Sequence, residues 1–361
     1  MKKLLLLAIL TCQFTNSHSQ NTKPENVVLV TLDGMRWQEI FGGADSLLAF
    51  NEKAQYNTKF IQSNFWDRTS NSRREKLMPF FWSEIVTKGV LLGNRKLKNY
   101  VNTANPYWFS YPGYNEITTG FPDTTVKSND KIPNKNESVF EYLNKMPEFK
   151  GKAAVFASWD VFASIYNEKR SGLAVNDGFR DVMGTLSEKQ KELNRLQHEL
   201  PDLFHGSERL DVATFHMALE YMKENKPRLM HMALGDTDEF AHSGMYDLYL
   251  DAAKKSDSWI RQLWEFIQNN PHYANKTTLI ITTDHGRGQA LGGGWKDHGS
   301  DVKGASEIWI AAIGPGITLE GESKKAAQFQ QGQIAATIAT LLGKDFKPNH
   351  SVLPALQILN K

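Results

Sequence analysis

The chain has 361 residues, with 42 Lys and Arg against 40 Asp and Glu and 40% apolar residues, a balance that belongs to ordinary folded proteins and excludes disordered or collagenous ones. Its single cysteine excludes a disulfide-stapled scaffold. With no surplus of basic residues, no electrostatic footprint for duplex nucleic acid is expected.

Lys2 and Lys3 precede an apolar run from Leu4 to Leu10, and small and polar residues follow through Ser17, His18 and Ser19. This pattern predicts a signal peptide over residues 1–19, cleavage near Ser19, and export to the periplasm or the medium. Cys12 lies inside that segment, and Thr11 is larger than the small residue expected before a lipidated cysteine, which argues against lipoprotein anchoring. Removing residues 1–19 takes away two lysines and no acid, so basic and acidic residues become equal in number. Without a thiolate, any metal must be held by oxygen and nitrogen ligands. No later apolar run is long enough to span a bilayer.

In chain order, short apolar runs predict buried strands at Val27 to Thr31, Ala153 to Ala157, Leu229 to Leu234, Thr278 to Thr283 and Ile308 to Ile313. Apolar positions at three-and-four spacing predict helices at Ser138 to Lys145, Leu210 to Lys223, Asp247 to Gln268 and Gln333 to Leu342. The alternation argues for an α/β fold with a mostly parallel central sheet flanked by helices. Residues 20–361 read as a single domain, with cap or rim insertions near 42–76 and 167–201, where the rhythm fails. The charge run Glu188 to Glu192 and the pair Arg73-Arg74 read as solvated surface.

Acids collect where strands end. The first strand runs into Asp33-Gly34, the third into Gly235-Asp236-Thr237-Asp238, and the fourth into Asp284-His285-Gly286. Ligands of open α/β sheets bind outside the carboxyl ends of strands, so three strands deliver acids to one edge. Asp238 and His242 are four apart and share a face if the chain turns helical there, and His298 follows a Gly-rich loop. This mixture of carboxylate and imidazole suits zinc, with manganese or iron possible. His216 and His231 read as packing or surface residues, and His198, His205, His272 and His350 as exposed. Ser110, in Phe109-Ser110-Tyr111-Pro112-Gly113, falls beside a predicted helix N-terminus, a position that attracts phosphate and suits a nucleophile activated by a metal.

Taken in order, these motifs resemble the alkaline phosphatase superfamily, on the side of its nucleotide pyrophosphatase/phosphodiesterase-like members. The resemblance implies two zinc ions, one held by Asp238, His242 and His298, the other by Asp33, Asp284, His285 and Ser110. It also implies attack by Ser110 on phosphorus through a phosphoseryl intermediate. Relatives commonly carry Asn three residues after the nucleophile, where this chain has Gly113, so Asn115 or Asn129 is the candidate phosphate donor. Related monoesterases use a Lys and Arg pair where this chain reads Ser158-Trp159-Asp160. A site lacking those cations suits the single charge of a diester, with Arg36 a candidate counter-charge and Trp159 a candidate stacking platform for a sugar or base. The expected function is therefore an exported phosphodiesterase acting on a small-molecule or glycan phosphate ester. The alternatives are a phosphomonoesterase of the same superfamily and a metal-containing glycan- or phosphate-binding module without turnover.

Overall fold

The structure is a computed structural model that describes residues 23–359; the expected signal peptide and Cys12 lie outside the described residues. Its strands are β1 (Asn26–Leu32), β2 (Gly89–Leu92), β3 (Asn99–Asn102), β4 (Ala153–Ala157), β5 (Ala174–Asp177), β6 (Leu229–Leu234), β7 (Thr277–Thr282), β8 (Glu307–Ile308), β9 (Ile310–Ile313), β10 (Gly321–Glu322) and β11 (Ala327–Gln330). Eight of them form one sheet in the order β10-β2-β9-β7-β1-β6-β4-β5. From β7 to β5 neighbouring strands are parallel, with Val30 of β1 opposite Met232 on one side and Ile281 on the other. Strand β9 runs antiparallel to β7 and to β2, so the sheet is mostly rather than wholly parallel. Strands β11, β3 and β8 make a small second sheet.

Every residue of β1, β4, β6 and β7 is buried, as expected of parallel strands covered on both faces. The pleat divides β1 between two apolar layers. Val28, Val30 and Leu32 face helices Asp211–Asn225 and Tyr246–Asn269, whereas Val27 and Leu29 face helices Ser110–Thr119, Val139–Asn144 and Gln333–Leu341. In Tyr246–Asn269, Tyr246, Tyr249, Leu250, Ala253, Ile260, Leu263 and Ile267 form the buried stripe that a 3.6-residue period requires. Each such aliphatic side chain contributes ~1.5–3 kcal/mol by leaving water.

Residues 42–76 form short helices, Ser46–Ala49, Thr58–Asn64 and Ser70–Leu77, whose Leu48, Ile61 and Leu77 join the first apolar layer. Residues 167–201 are not all inserted. They include edge strand β5, whose Ala-Val-Asn-Asp sequence lacks an apolar run, and the capped helix Glu188–Gln197, which carries the charge run. No described helix is long and apolar enough to cross a membrane.

Candidate active site

The carboxyl ends of β1, β6 and β7 bring Asp33, Asp238, Asp284 and His285 together. Asp33 follows β1 directly, and its backbone N–H donates to Leu234 O (2.8 Å) while its carbonyl accepts from Thr237 Oγ1 (2.6 Å), so the exits of β1 and β6 are locked. Gly34 has φ +59°, and a Cβ there would sit 2.4 Å from Asp238 Oδ1; only glycine allows both the turn and the approach. Gly34 N–H donates to Asp284 Oδ1 (3.1 Å), and Tyr114 OH donates to Asp33 Oδ2 (2.9 Å).

His285 is the hub. Its Nδ1 lies 2.9 Å from Gly286 O, so the Nδ1–H tautomer donates there and the Nε2 lone pair faces the acids. Nε2 is 3.3 Å from Asp33 Oδ1, 3.3 Å from Asp284 Oδ2, and 3.3 Å from Ser110 Oγ. Asp33 Oδ1 and Asp284 Oδ2 are buried without a hydrogen-bond partner among the described residues. A second group adjoins this one: His242 Nε2 is 3.1 Å from Asp238 Oδ2 and 2.9 Å from His298 Nε2.

The electrostatics are those of acceptors facing acceptors. Burial, and then the charge of Asp238, hold the Asp33 carboxyl well above the usual range, and burial followed by Asp33 does the same for Asp284. Burial and neighbouring His285 push the His298 imidazole down to about 2. Asp238 is opposite in sign: burial would raise it, but the Arg287 guanidinium, with His242 and His298, holds it well below. Orphaned carboxylate oxygens, imidazole nitrogens and a serine hydroxyl within ligand reach fit divalent cations. The tightest clusters are Asp33, Asp284 and His285, and Asp238, His285 and His298.

Ser110 opens helix Ser110–Thr119, whose N-cap, Phe109, offers no side-chain cap. Gly299 N–H donates to Trp108 O (3.0 Å), which ties the nucleophile segment to the residue after His298. Trp108 itself takes φ +53°, held by Asn105 Oδ1 on its N–H (3.1 Å). A bulky residue in that region stores ~1–3 kcal/mol of strain beside the site.

The substrate-binding candidates separate. Asn129 is exposed; its Oδ1 accepts from Tyr111 N–H (3.0 Å) at the start of the nucleophile helix, and its Nδ2 makes no hydrogen bond among the described residues. Asn115 is fully buried, with Nδ2 on Phe121 O and Oδ1 shared by Asn134 and Asn136, so its amide is committed to the interior. Arg36 is also buried, with Nε on Glu39 (3.2 Å), Nη2 on Asp45 (3.4 Å) and Nη1 without a hydrogen-bond partner among the described residues. The guanidinium at the site is Arg287, unremarked in sequence, which contacts Asp238 Oδ1 and donates to Trp295 O (2.9 Å). Its position directly after Asp284-His285-Gly286 was the available signal. Trp159 is half-buried at the exit of β4. Gly113 explains its own identity, because a Cβ there would meet Asp284 O at 2.4 Å. His231 is wholly buried and His198, His205 and His216 are exposed, whereas His272 and His350 are half-buried against the protein surface.

Residues 53–291, well over half of the chain, match the family model for type I phosphodiesterase / nucleotide pyrophosphatase. The chain belongs to this family. The matched stretch contains Ser110, Asp238, His242, Asp284 and His285 and leaves Asp33 and His298 outside it. Among curated proteins no sequence matches. The fold is similar to that of wild-type alkaline phosphatase PafA (TM-score 0.60, 12% identity, 94% of this chain and 99% of that chain). It is also similar to the lipoteichoic acid synthase LtaP of Listeria monocytogenes (0.56, 13%, 92% and 76%) and to a putative sulfatase of Bacteroides thetaiotaomicron (0.57, 12%, 92% and 74%). These likenesses are of fold: the chain has an alkaline phosphatase-like α/β architecture.

Proposed function

We propose that this protein is an exported, metal-dependent phosphodiesterase in which Ser110 is the nucleophile. The observation that carries the reading is Ser110 Oγ, 3.3 Å from His285 Nε2, at the first residue of its helix and beside two carboxylate oxygens that lack a hydrogen-bond partner among the described residues. Two zinc ions, or manganese or iron, would be held by Asp238, His242 and His298 and by Asp33, Asp284, His285 and Ser110, and when bound would stabilise charge developing on the attacking and leaving oxygens. Ser110 Oγ attacks phosphorus, the ester alcohol leaves from the opposite side, and water then hydrolyses the phosphoserine. Asn129 Nδ2 binds a non-bridging oxygen.

Charge favours the diester. Where β4 ends, Ser158 Oγ donates to Asp211 (2.6 Å), and Asp160 occupies Lys131 (2.5 Å). Arg36 is spent on Glu39, and Arg287 on Asp238. The second negative charge of a monoester would find no free cation among these groups.

The test compares bis(p-nitrophenyl) phosphate with p-nitrophenyl phosphate on the zinc-loaded mature protein. The diester is expected to turn over faster, chelator to abolish the rate, and Ser110→Ala to cost at least about a thousandfold in kcat. Monoester preference, or an unchanged rate in Ser110→Ala, would overturn the reading.

A further inference from the structure

Glu208 pairs with Trp159 in an isolated antiparallel bridge where the chain leaves β4. Its side chain is 5% exposed, yet its carboxyl accepts no hydrogen bond among the described residues, and Oε1 is buried without a partner. Leaving such a group unmet costs on the order of 1–3 kcal/mol, and more if it is charged. Room for it comes from Gly235, where a Cβ would fall 1.5 Å from Glu208 Oε1. Gly235 directly follows Leu234, the residue that accepts from Asp33 N–H, so this carboxyl stands at the rim of the reaction centre.

Its surroundings are acidic. Burial, followed by the charges of Glu239, Asp211, Asp33 and Asp236, holds the Glu208 carboxyl well above the usual range. Half-buried Glu239 lies on helix Asp236–His242, between Asp238 and His242. Asp211 is already occupied by the N–H groups of Gly235 and Asp236. The guanidinium of Arg209 is directed to Thr214, Gln197 and Asn176 O. Among the described residues, neither Glu208 nor Glu239 belongs to a group of three acids or histidines within metal-ligand distance of one another.

We propose that Glu208, with Glu239 on helix Asp236–His242, forms a carboxyl subsite that takes a primary ammonium group carried by one alcohol of the phosphodiester, the ammonium charge drawing Glu208 into its ionised form. A primary ammonium supplies both the positive charge this rim attracts and the N–H donor that Glu208 lacks. The assignment rests on the diesterase reading for its reaction, and its binding can be measured apart from that reaction.

The substrates are p-nitrophenyl 2-aminoethyl phosphate and its neutral isostere p-nitrophenyl propyl phosphate, assayed on the zinc-loaded mature protein. A charge-assisted hydrogen bond of ~1.5–3 kcal/mol predicts about a 10- to 100-fold higher kcat/KM for the aminoethyl ester. Glu208→Gln should bring that ratio close to 1, and Glu239→Gln should lower it less. A wild-type ratio near 1, or one that survives Glu208→Gln, overturns the subsite while leaving the diesterase reading intact. In parallel, calorimetry on zinc-loaded Ser110→Ala compares binding of 2-aminoethyl ethyl phosphate and propyl ethyl phosphate. If neither ester is turned over, Glu208-dependent preference for the aminoethyl compound keeps the subsite and removes the diesterase reading; equal binding removes the subsite too.

Discussion

Asn129 and Asn115 have the same side chain and opposite roles, because each amide is worth what its surroundings leave free. Asn129 engages Tyr111 N–H through Oδ1 and keeps Nδ2 available, whereas Asn115 spends both ends on Phe121, Asn134 and Asn136. Asn129→Ala should therefore lower kcat by about 100-fold, the scale of one lost oxyanion donor, with a change of under ~2 kcal/mol in stability. Asn115→Ala should leave kcat of the folded fraction near wild type and cost ~2–4 kcal/mol, because two buried donors lose their acceptor. Steady-state kinetics and urea unfolding on both variants check the pair; the reverse assignment of losses would return Asn115 to the site. The same logic divides the arginines. Arg36 lies close behind Asp33 in sequence, but its Nε and Nη2 are held by Glu39 and Asp45, while Arg287, just after the β7 exit, contacts Asp238.

Elements carry the site through close backbone contacts, and the nucleophile helix depends on one of them. Gly113 lets that helix rest on the Asp284 carbonyl, where a methyl group would stand 2.4 Å from the oxygen. Gly113→Ala should push the helix outward, cost ~1–3 kcal/mol, and lower kcat by displacing Ser110 from His285. Unfolding measurements and kinetics on this variant check it; an unchanged kcat would mean that the helix position is not limiting. This contact also marks where sequence reading stops. The strands β1, β4, β6 and β7 are legible because burial on both faces forces continuous apolar runs, and the acids at their ends are legible because those ends share one sheet edge. Strands β3, β5, β10 and β11 are not, since they are short, sit at edges or in the small sheet, and use residues such as Asn99, Asn176, Gly321 and Gln328. Nor can spacing tell which polar side chain keeps a free atom, which decides between Asn115 and Asn129.

The whole molecule records its buried ionisable groups in the pH dependence of its stability, and two of them act with opposite sign. His231 lies in the central strand β6, fully buried, with Nε2 3.0 Å from Thr31 Oγ1 and Nδ1 2.7 Å from Tyr166 OH; burial pushes its imidazole down to about 3. The folded state thus holds it neutral while the unfolded chain protonates near pH 6.5, so its contribution is present above pH 6.5 and is lost as pH falls toward 3. Asp257 accepts from Phe80 N–H (2.9 Å) and Phe81 N–H (2.7 Å), and burial pushes its carboxyl up to about 6 from an ordinary 3.8. Its contribution is fully present below pH 3.8 and is lost as pH rises through 6. Between about pH 4 and 6 these two contributions oppose one another. In urea unfolding between pH 7 and 4.5, the stability advantage of wild type over His231→Gln should shrink by roughly 2–3 kcal/mol, at about 1.4 kcal/mol per pH unit below 6.5. Over the same range, the difference between wild type and Asp257→Asn should move in favour of wild type by roughly 2 kcal/mol. Parallel curves for wild type and His231→Gln would show that the imidazole protonates in the folded state as readily as in the unfolded one, and that the pocket formed by Thr31 and Tyr166 opens to water.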